Sequence, residues 1–201
     1  MRQIQDDGDR KLEHFLREAD AHRQRLGRKN VVLDMRFNDG GNLYLVRDFM
    51  RHWPSRTDGH FFVLTSHQTF SAAIASIAYL KQAGGERVSI VGEPIGDRLM
   101  FFSDGLPIQL PNSGRFFVPS VVRMDYHGGC REYDDCSEGI AQPGRSTASA
   151  ALPWLGPIER LPISVPSLQP DTFAPWTIEP WLRGTDPMMD AINDLAGTGA
   201  K

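Results

Sequence analysis

"FVLTSHQTFSAAIASIAYLKQ", residues 62–82, decides how this chain is read. Apolar residues run up to Leu64, a polar turn follows, and Ser71 then opens a stretch of small and apolar residues at helical spacing. Ile74, Ile77, Ala78 and Lys81 fall along one side of the helix expected from Ser71 to about Gln82. A serine at the mouth of a buried helix, directly after a strand, has two readings. It caps the helix, or it is a nucleophile aimed by the turn.

Working outward, "NVVLDM" (30–35), "HFFVLT" (60–65) and "RVSIVGEP" (87–94) are short apolar runs rich in β-branched and aromatic residues. Such runs read as strands buried on both faces. A helix from an Asp9 cap to Leu26 precedes them, with Leu12, Phe15, Leu16, Ala19 and Leu26 on one face and Gly27 as the stop. "LYLVRDFMRHW" (43–53) reads as a second helix ending before Pro54. Residues 9–94 thus alternate helix and strand, the pattern of an α/β fold with a mostly parallel sheet flanked by helices. The crossovers are expected to be right-handed.

After residue 95 the style changes. "LMFFSDGLPIQLPNSGRFFVPSVVRMD" (99–125) alternates in short runs broken at Asp104-Gly105 and Asn112-Ser113-Gly114, which reads as a β-rich segment of hairpins. Residues 125–160 are rich in Gly, Ala, Ser and Pro without a period and read as a loop-rich insertion. "GTDPMMDAINDLAG" (184–197) is a terminal helix, with Thr185 or Asp186 as cap, Pro187 at its first position and Gly197 beyond its end. The 201 residues are expected to form a single domain.

Composition narrows the function. With 40% hydrophobic and 23% charged residues the chain is of ordinary globular type. A net charge of −3 and a pI near 6.1 argue against nucleic acid as the main partner. No apolar run approaches the roughly 18 residues of a membrane span, and the first 30 residues show no signal-peptide core. Cys130 and Cys136, in "HGGCREYDDCSEG" (127–139), are the only cysteines. A disulfide, free thiols and a metal site with His127 are all open for them, although no C-x-x-C spacing supports metal. A disulfide would favour a periplasmic or other extracytoplasmic compartment. No cofactor is called for, and oligomerisation is open.

Two strand-to-helix turns carry the chemistry. In "LDMRFNDGGN" (33–42) paired glycines let backbone N–H groups approach a ligand closely. In "TFSAA" (69–73) Ser71 stands at the positive end of a helix dipole. A hydroxyl nucleophile needs donors for the oxyanion it creates, and the amides of Ala72 and of Gly40 or Gly41 are the candidates. Phe70 and Asn42, beside these groups, are candidate substrate contacts. In a parallel sheet both turns leave carboxyl ends of strands and therefore share an edge. Gly-Gly is otherwise a plain turn, and it lacks the Lys-Ser/Thr of a P-loop. Asp34 pairs with Arg36 or caps a loop more readily than it catalyses. His67 and His127 are alternative bases.

Four segments in order resemble the C-terminal-processing (tail-specific) serine peptidases and their tricorn relatives. "VVLDMRFNDGGN" (31–42) is similar to their LDLRxNxGG motif, and Ser71-Ala72 to the S-A at their nucleophile helix. Gly92-Glu93-Pro94-Ile95-Gly96 occupies the place of their G-E-x-T-x-G. "LPIQLPNSGRFFVPS" (106–120) and "APWTIEPWLRGTDPMMDAI" (174–192) resemble the tail of a subgroup. The resemblance covers residues 30 to about 122 and 161–195. It implies a ClpP/crotonase-like α/β spiral, Ser71 as nucleophile, Ala72 and Gly40 or Gly41 as oxyanion-hole amides, and a peptide or protein substrate.

The resemblance is incomplete where the base belongs. The processing branch has a lysine just after G-E-x-T, where this chain has Gly96-Asp97-Arg98. Lysines occur only at 11, 29, 81 and 201, and Lys81 lies ten residues into the helix, roughly 15 Å along its axis. The tricorn branch takes a histidine from a segment well upstream of the double glycine. The expectation is therefore the C-terminal part of a longer peptidase, incomplete without an upstream base-bearing region. Two alternatives stand beside it: a non-catalytic module binding hydrophobic ligands or peptides on the same fold, and a crotonase-type acyl-CoA enzyme using a carboxylate such as Glu93.

Overall fold

A computed structural model of the chain describes residues 3–103, 107–120, 122–127 and 163–198. Cys130, Cys136 and most of the 125–160 insertion lie outside the described residues. The chain divides into two compact units, residues 1–97 with 168–201, and residues 98–167.

The first unit is built on a four-stranded sheet. Its strands are β1 (Val31–Asp34), β2 (Phe61–Thr65), β3 (Val88–Gly92) and β8 (Thr172–Phe173), in the order β1-β2-β3-β8, all parallel. All five residues of β2 are buried, as its continuous apolar run requires of a central strand. The register sets Asp34 beside Leu64 and Thr65 beside Gly92, so the loops leaving the three strands emerge at one edge.

Helices cover the sheet. Helix α3 (Ala72–Gly84) is buried without interruption from Ala72 to Leu80. Its alanines leave little side chain on the turns that must fit closely between neighbours. Helix α2 (Arg47–His52) packs on α3, and Trp53 just after it meets Phe61 edge to face with ring centroids 5.4 Å apart. On the alternate strand positions, Phe62, Leu64 and Val91 pack with Met188 and Ile192 of the terminal helix α5 (Pro187–Thr198). The short helix α4 (Ile178–Arg183) lies between β8 and α5.

Helix α1 (Leu12–Arg25) buries Leu12, Leu16 and Asp20. Phe15, Ala19 and Leu26, expected on its inner face, are exposed. The inner stripe includes a charge instead: Asp20 accepts hydrogen bonds from Trp53 Nε1 (2.8 Å) and Arg23 Nε (2.9 Å). The N-cap position is Lys11 rather than Asp9, and it makes no side-chain capping bond; instead the Asp6 carboxylate accepts from the Leu12 N–H at 3.0 Å. At the terminal helix Asp186 accepts from the Met188 and Met189 N–H groups, and the helix runs through Gly197 to Thr198.

The second unit holds two antiparallel pairs. β4 (Met100–Ser103) pairs with β7 (Val122–Asp125), and β5 (Ile108–Gln109) with β6 (Phe116–Phe117). Gly114, at φ 65°, turns the second pair where Asn112-Ser113-Gly114 predicted it.

Candidate active site

The turn after β1 and the turn after β2 are stitched together. Thr69 Oγ1 donates to the Met35 carbonyl (2.8 Å), Ser66 Oγ to the Arg36 carbonyl, and the Phe70 N–H to the Asn38 carbonyl (3.0 Å). Asn38 is fully buried, and its Oδ1 accepts from the Gly40 N–H at 3.0 Å. These bonds satisfy polar groups that the sheet edge would otherwise bury unmatched.

The stitching brings Gly40 against Ser71. A methyl group at Gly40 would lie 2.7 Å from Ser71 Cβ, 3.0 Å from the Ala72 nitrogen and 3.1 Å from the Phe70 oxygen. With φ 109° as well, the position accepts only glycine.

Ser71 precedes α3 with φ 52° and ψ −123°. Among the described residues it alone has a positive φ without being glycine. Holding a serine there costs on the order of 1–3 kcal/mol. An ordinary cap has extended backbone and bonds its own helix; Ser71 has neither, since its hydroxyl makes no capping bond. Among the described residues no group hydrogen-bonds Ser71 Oγ, which is half-buried at the N-terminus of a 13-residue helix.

The other expected residues divide. The Ala72 N–H has no acceptor among the described residues, while the Ala73 N–H bonds the Phe70 carbonyl. The Gly40 N–H is committed to Asn38. The Gly40 carbonyl accepts from the Ile4 N–H at 2.6 Å, and the Asn42 N–H donates to the Ile4 carbonyl at 2.7 Å. In a trans peptide N–H and C=O point oppositely, so the Gly41 N–H faces away from Ile4. Asn42 Oδ1 accepts from the Tyr44 N–H (3.0 Å), a capping role for the 3₁₀ turn Leu43–Leu45. Phe70 lines an open cleft of about 1230 Å³ with Phe15, Phe37, Asp7 and Asp39.

Among the described residues no candidate base is bonded to Ser71. His67 Nδ1 stands 3.4 Å from Glu93 Oε2. Lys81 Nζ donates to the Val88 carbonyl and reaches Asp171 at 3.5 Å. His127, in the second unit, has Nδ1 3.3 Å from the Val165 carbonyl. Asp34 pairs with Arg36, which also reaches Asp186 at 2.7 Å and so ties the first turn to the start of α5. Burial pushes the Asp34 carboxyl up, but hydrogen bonds from the Arg36 side chain and N–H outweigh it and hold Asp34 below its ordinary value. Among the described residues no cluster of His, Cys, Asp or Glu could hold a metal ion, and no helix is long and apolar enough to cross a membrane.

The sequence reading missed Asn38 as the pin between the turns, Thr69 and Ser66 as cross-links, and Ile4 as the backbone partner of the double glycine. Only Asn38 carried a signal, as the N of the R-x-N-x-G-G motif.

No family model and no curated protein matches the sequence. Solved structures that resemble it in fold include two of bacterial proteins. One is of a candidate peptidase from Parabacteroides merdae, with 14% identity and a TM-score of 0.53, over 90% of this chain and 56% of that one. The other is of a candidate S41 protease from Bacteroides fragilis, with 13% identity and a TM-score of 0.54, over 97% of this chain and 52% of that one. The chain therefore spans about half the length of each, and shares with these two proteins a mixed α/β fold in which helices flank a parallel sheet.

Proposed function

We propose that this chain carries the nucleophile half of a serine endopeptidase of the tail-specific/tricorn type, on a ClpP/crotonase-like spiral. The observation that carries the proposal is the backbone of Ser71, held at φ 52° beside a glycine that nothing larger can replace. Strain at a hydroxyl-bearing residue, outside any capping role, is expected where the hydroxyl does chemistry.

In this reading Ser71 Oγ attacks a peptide carbonyl and its proton passes to a base. The carbonyl oxygen becomes an anion, received by the Ala72 N–H and the Gly41 N–H and stabilised by the helix end. The intermediate collapses to an ester on Ser71, and the amine leaves with a proton. Water then attacks the ester and releases the acid. Gly40 has a different part: bonded to Asn38, it sets the angle at which Gly41 presents its N–H. The base is assigned to a region of the enzyme beyond the residues described, and Phe70 to the wall that receives the substrate.

A fluorophosphonate probe tests the reading. Peptide mapping is expected to find the adduct on Ser71, and Ser71→Ala to abolish it. Intact wild-type protein that acquires no adduct on Ser71, even over hours at millimolar probe, would overturn the assignment.

A further inference from the structure

Resting on that reading, we infer that the cleft beside Ser71 selects peptide segments in which an aromatic or large aliphatic side chain adjoins a lysine or arginine. The cleft starts at the two turns. Asp39 precedes Gly40, Phe70 precedes Ser71, and both line it. Its floor is aromatic: Phe15, Phe37 and Phe70 are 59%, 53% and 39% exposed. Large rings left this open to water gain free energy when an apolar partner covers them.

Charge decides what accompanies the apolar group. Among the described residues the lining carries two carboxylates, Asp7 and Asp39, and no lysine, arginine or histidine. Two nearby cations are engaged elsewhere: Lys11 Nζ is 3.0 Å from Asp6, and Arg36 is held between Asp34 and Asp186; Arg10, exposed, is paired to Asp7 through its backbone. Among the described residues Asp39 Oδ2 has only a long contact, 3.4 Å from Gln3 Nε2. Gln3 and Gln5 line the cleft while Ile4 between them is buried, so the segment alternates like an edge strand. Their amides are ready donors and acceptors for an extended backbone. A cationic side chain meets attraction here and an acidic one meets repulsion, which gives selectivity as well as affinity.

The test is binding to the Ser71→Ala protein, which needs no catalysis. Fluorescein-labelled hexapeptides with a central Phe-Lys, Phe-Glu or Ala-Lys are titrated by anisotropy. The Phe-Lys peptide is expected to bind at least about fivefold tighter than Phe-Glu and tighter than Ala-Lys. Raising salt from 50 to 300 mM should weaken it. Asp7→Asn with Asp39→Asn, both at exposed positions, should erase the preference over Phe-Glu. Equal affinities for the Phe-Lys and Phe-Glu peptides, an unchanged preference in the double variant, or no binding of Phe-Lys at millimolar concentration would overturn the inference. Failure here with an intact adduct on Ser71 leaves the peptidase reading standing. Selective binding without any adduct removes only the hydrolysis.

Discussion

Gly40 and Ser71 are packed so closely that a single methyl group on Gly40 would intrude to 2.7 Å from Ser71 Cβ. The contact couples two loops separated by thirty residues of chain, and it makes each loop's geometry a condition of the other's. Gly40→Ala must move Ser71 or open the turn, and it also places a side chain at φ 109°. The expected cost is at least about 2 kcal/mol, together with loss of the probe adduct. Urea unfolding that leaves the midpoint unchanged would show that the two loops are free to part.

The Ser71 backbone makes a sharper prediction. If φ 52° is strain imposed by the surrounding fold, Ser71→Gly relieves it and Ser71→Ala does not. The glycine variant is expected to be more stable than the alanine variant by about 1 kcal/mol, after allowing for the extra unfolded-state entropy of glycine. Both lose the nucleophile. A glycine variant less stable than the alanine variant would mean that Ser71 rests in an unstrained conformation.

Asn38 is the pin, and its removal should be felt at the site. Asn38→Ala leaves the Gly40 N–H without its acceptor and opens a small void. The loss is expected to be about 2 kcal/mol. Labelling of Ser71 should slow by more than the folded fraction accounts for, because Gly41 is no longer held at its angle. Urea midpoints and labelling rates on the same samples separate the two effects.

Acid stability should depend on Asp34. Its carboxyl is held below its ordinary value in the folded chain, so its contribution is full above the unfolded-state value near 4. That contribution is lost as pH falls through the folded value. Between pH 5 and pH 3 the wild type should therefore lose more stability than Asp34→Asn. The side chain is 45% exposed and solvent screens the pair, so the difference is about 0.5 kcal/mol. Parallel urea titrations at the two pH values check it. An equal loss in both proteins would show that Arg36 does not hold Asp34 ionised.

Strand β2 was legible because it is buried on both faces, as the unbroken apolar run Phe61–Leu64 implies. The edge strand β1 departs from the same expectation: Val31 and Leu33 are buried, while Val32 and Asp34 face solvent. The placement of Ser71 beside the double glycine followed from topology, since parallel strands put both turns at one edge. Other features left no periodic trace. Ile4 is one apolar residue in a polar segment, and β8 is two residues long. On α1 the helical stripe misled: the apolar set at 12, 15, 16, 19 and 26 is split by the fold. Asp20 is buried instead because Trp53, 33 residues away, supplies a donor. Backbone dihedrals are equally silent, so nothing in the letters announced φ 52° at Ser71 or the occupied N–H of Gly40.

The most direct test is a crystal structure of the wild-type chain after phosphonylation. The account predicts the phosphonyl group on Ser71 Oγ, with one phosphoryl oxygen about 3 Å from both the Ala72 and the Gly41 nitrogens. A phosphonyl oxygen turned to solvent, more than about 4 Å from either nitrogen, would contradict it.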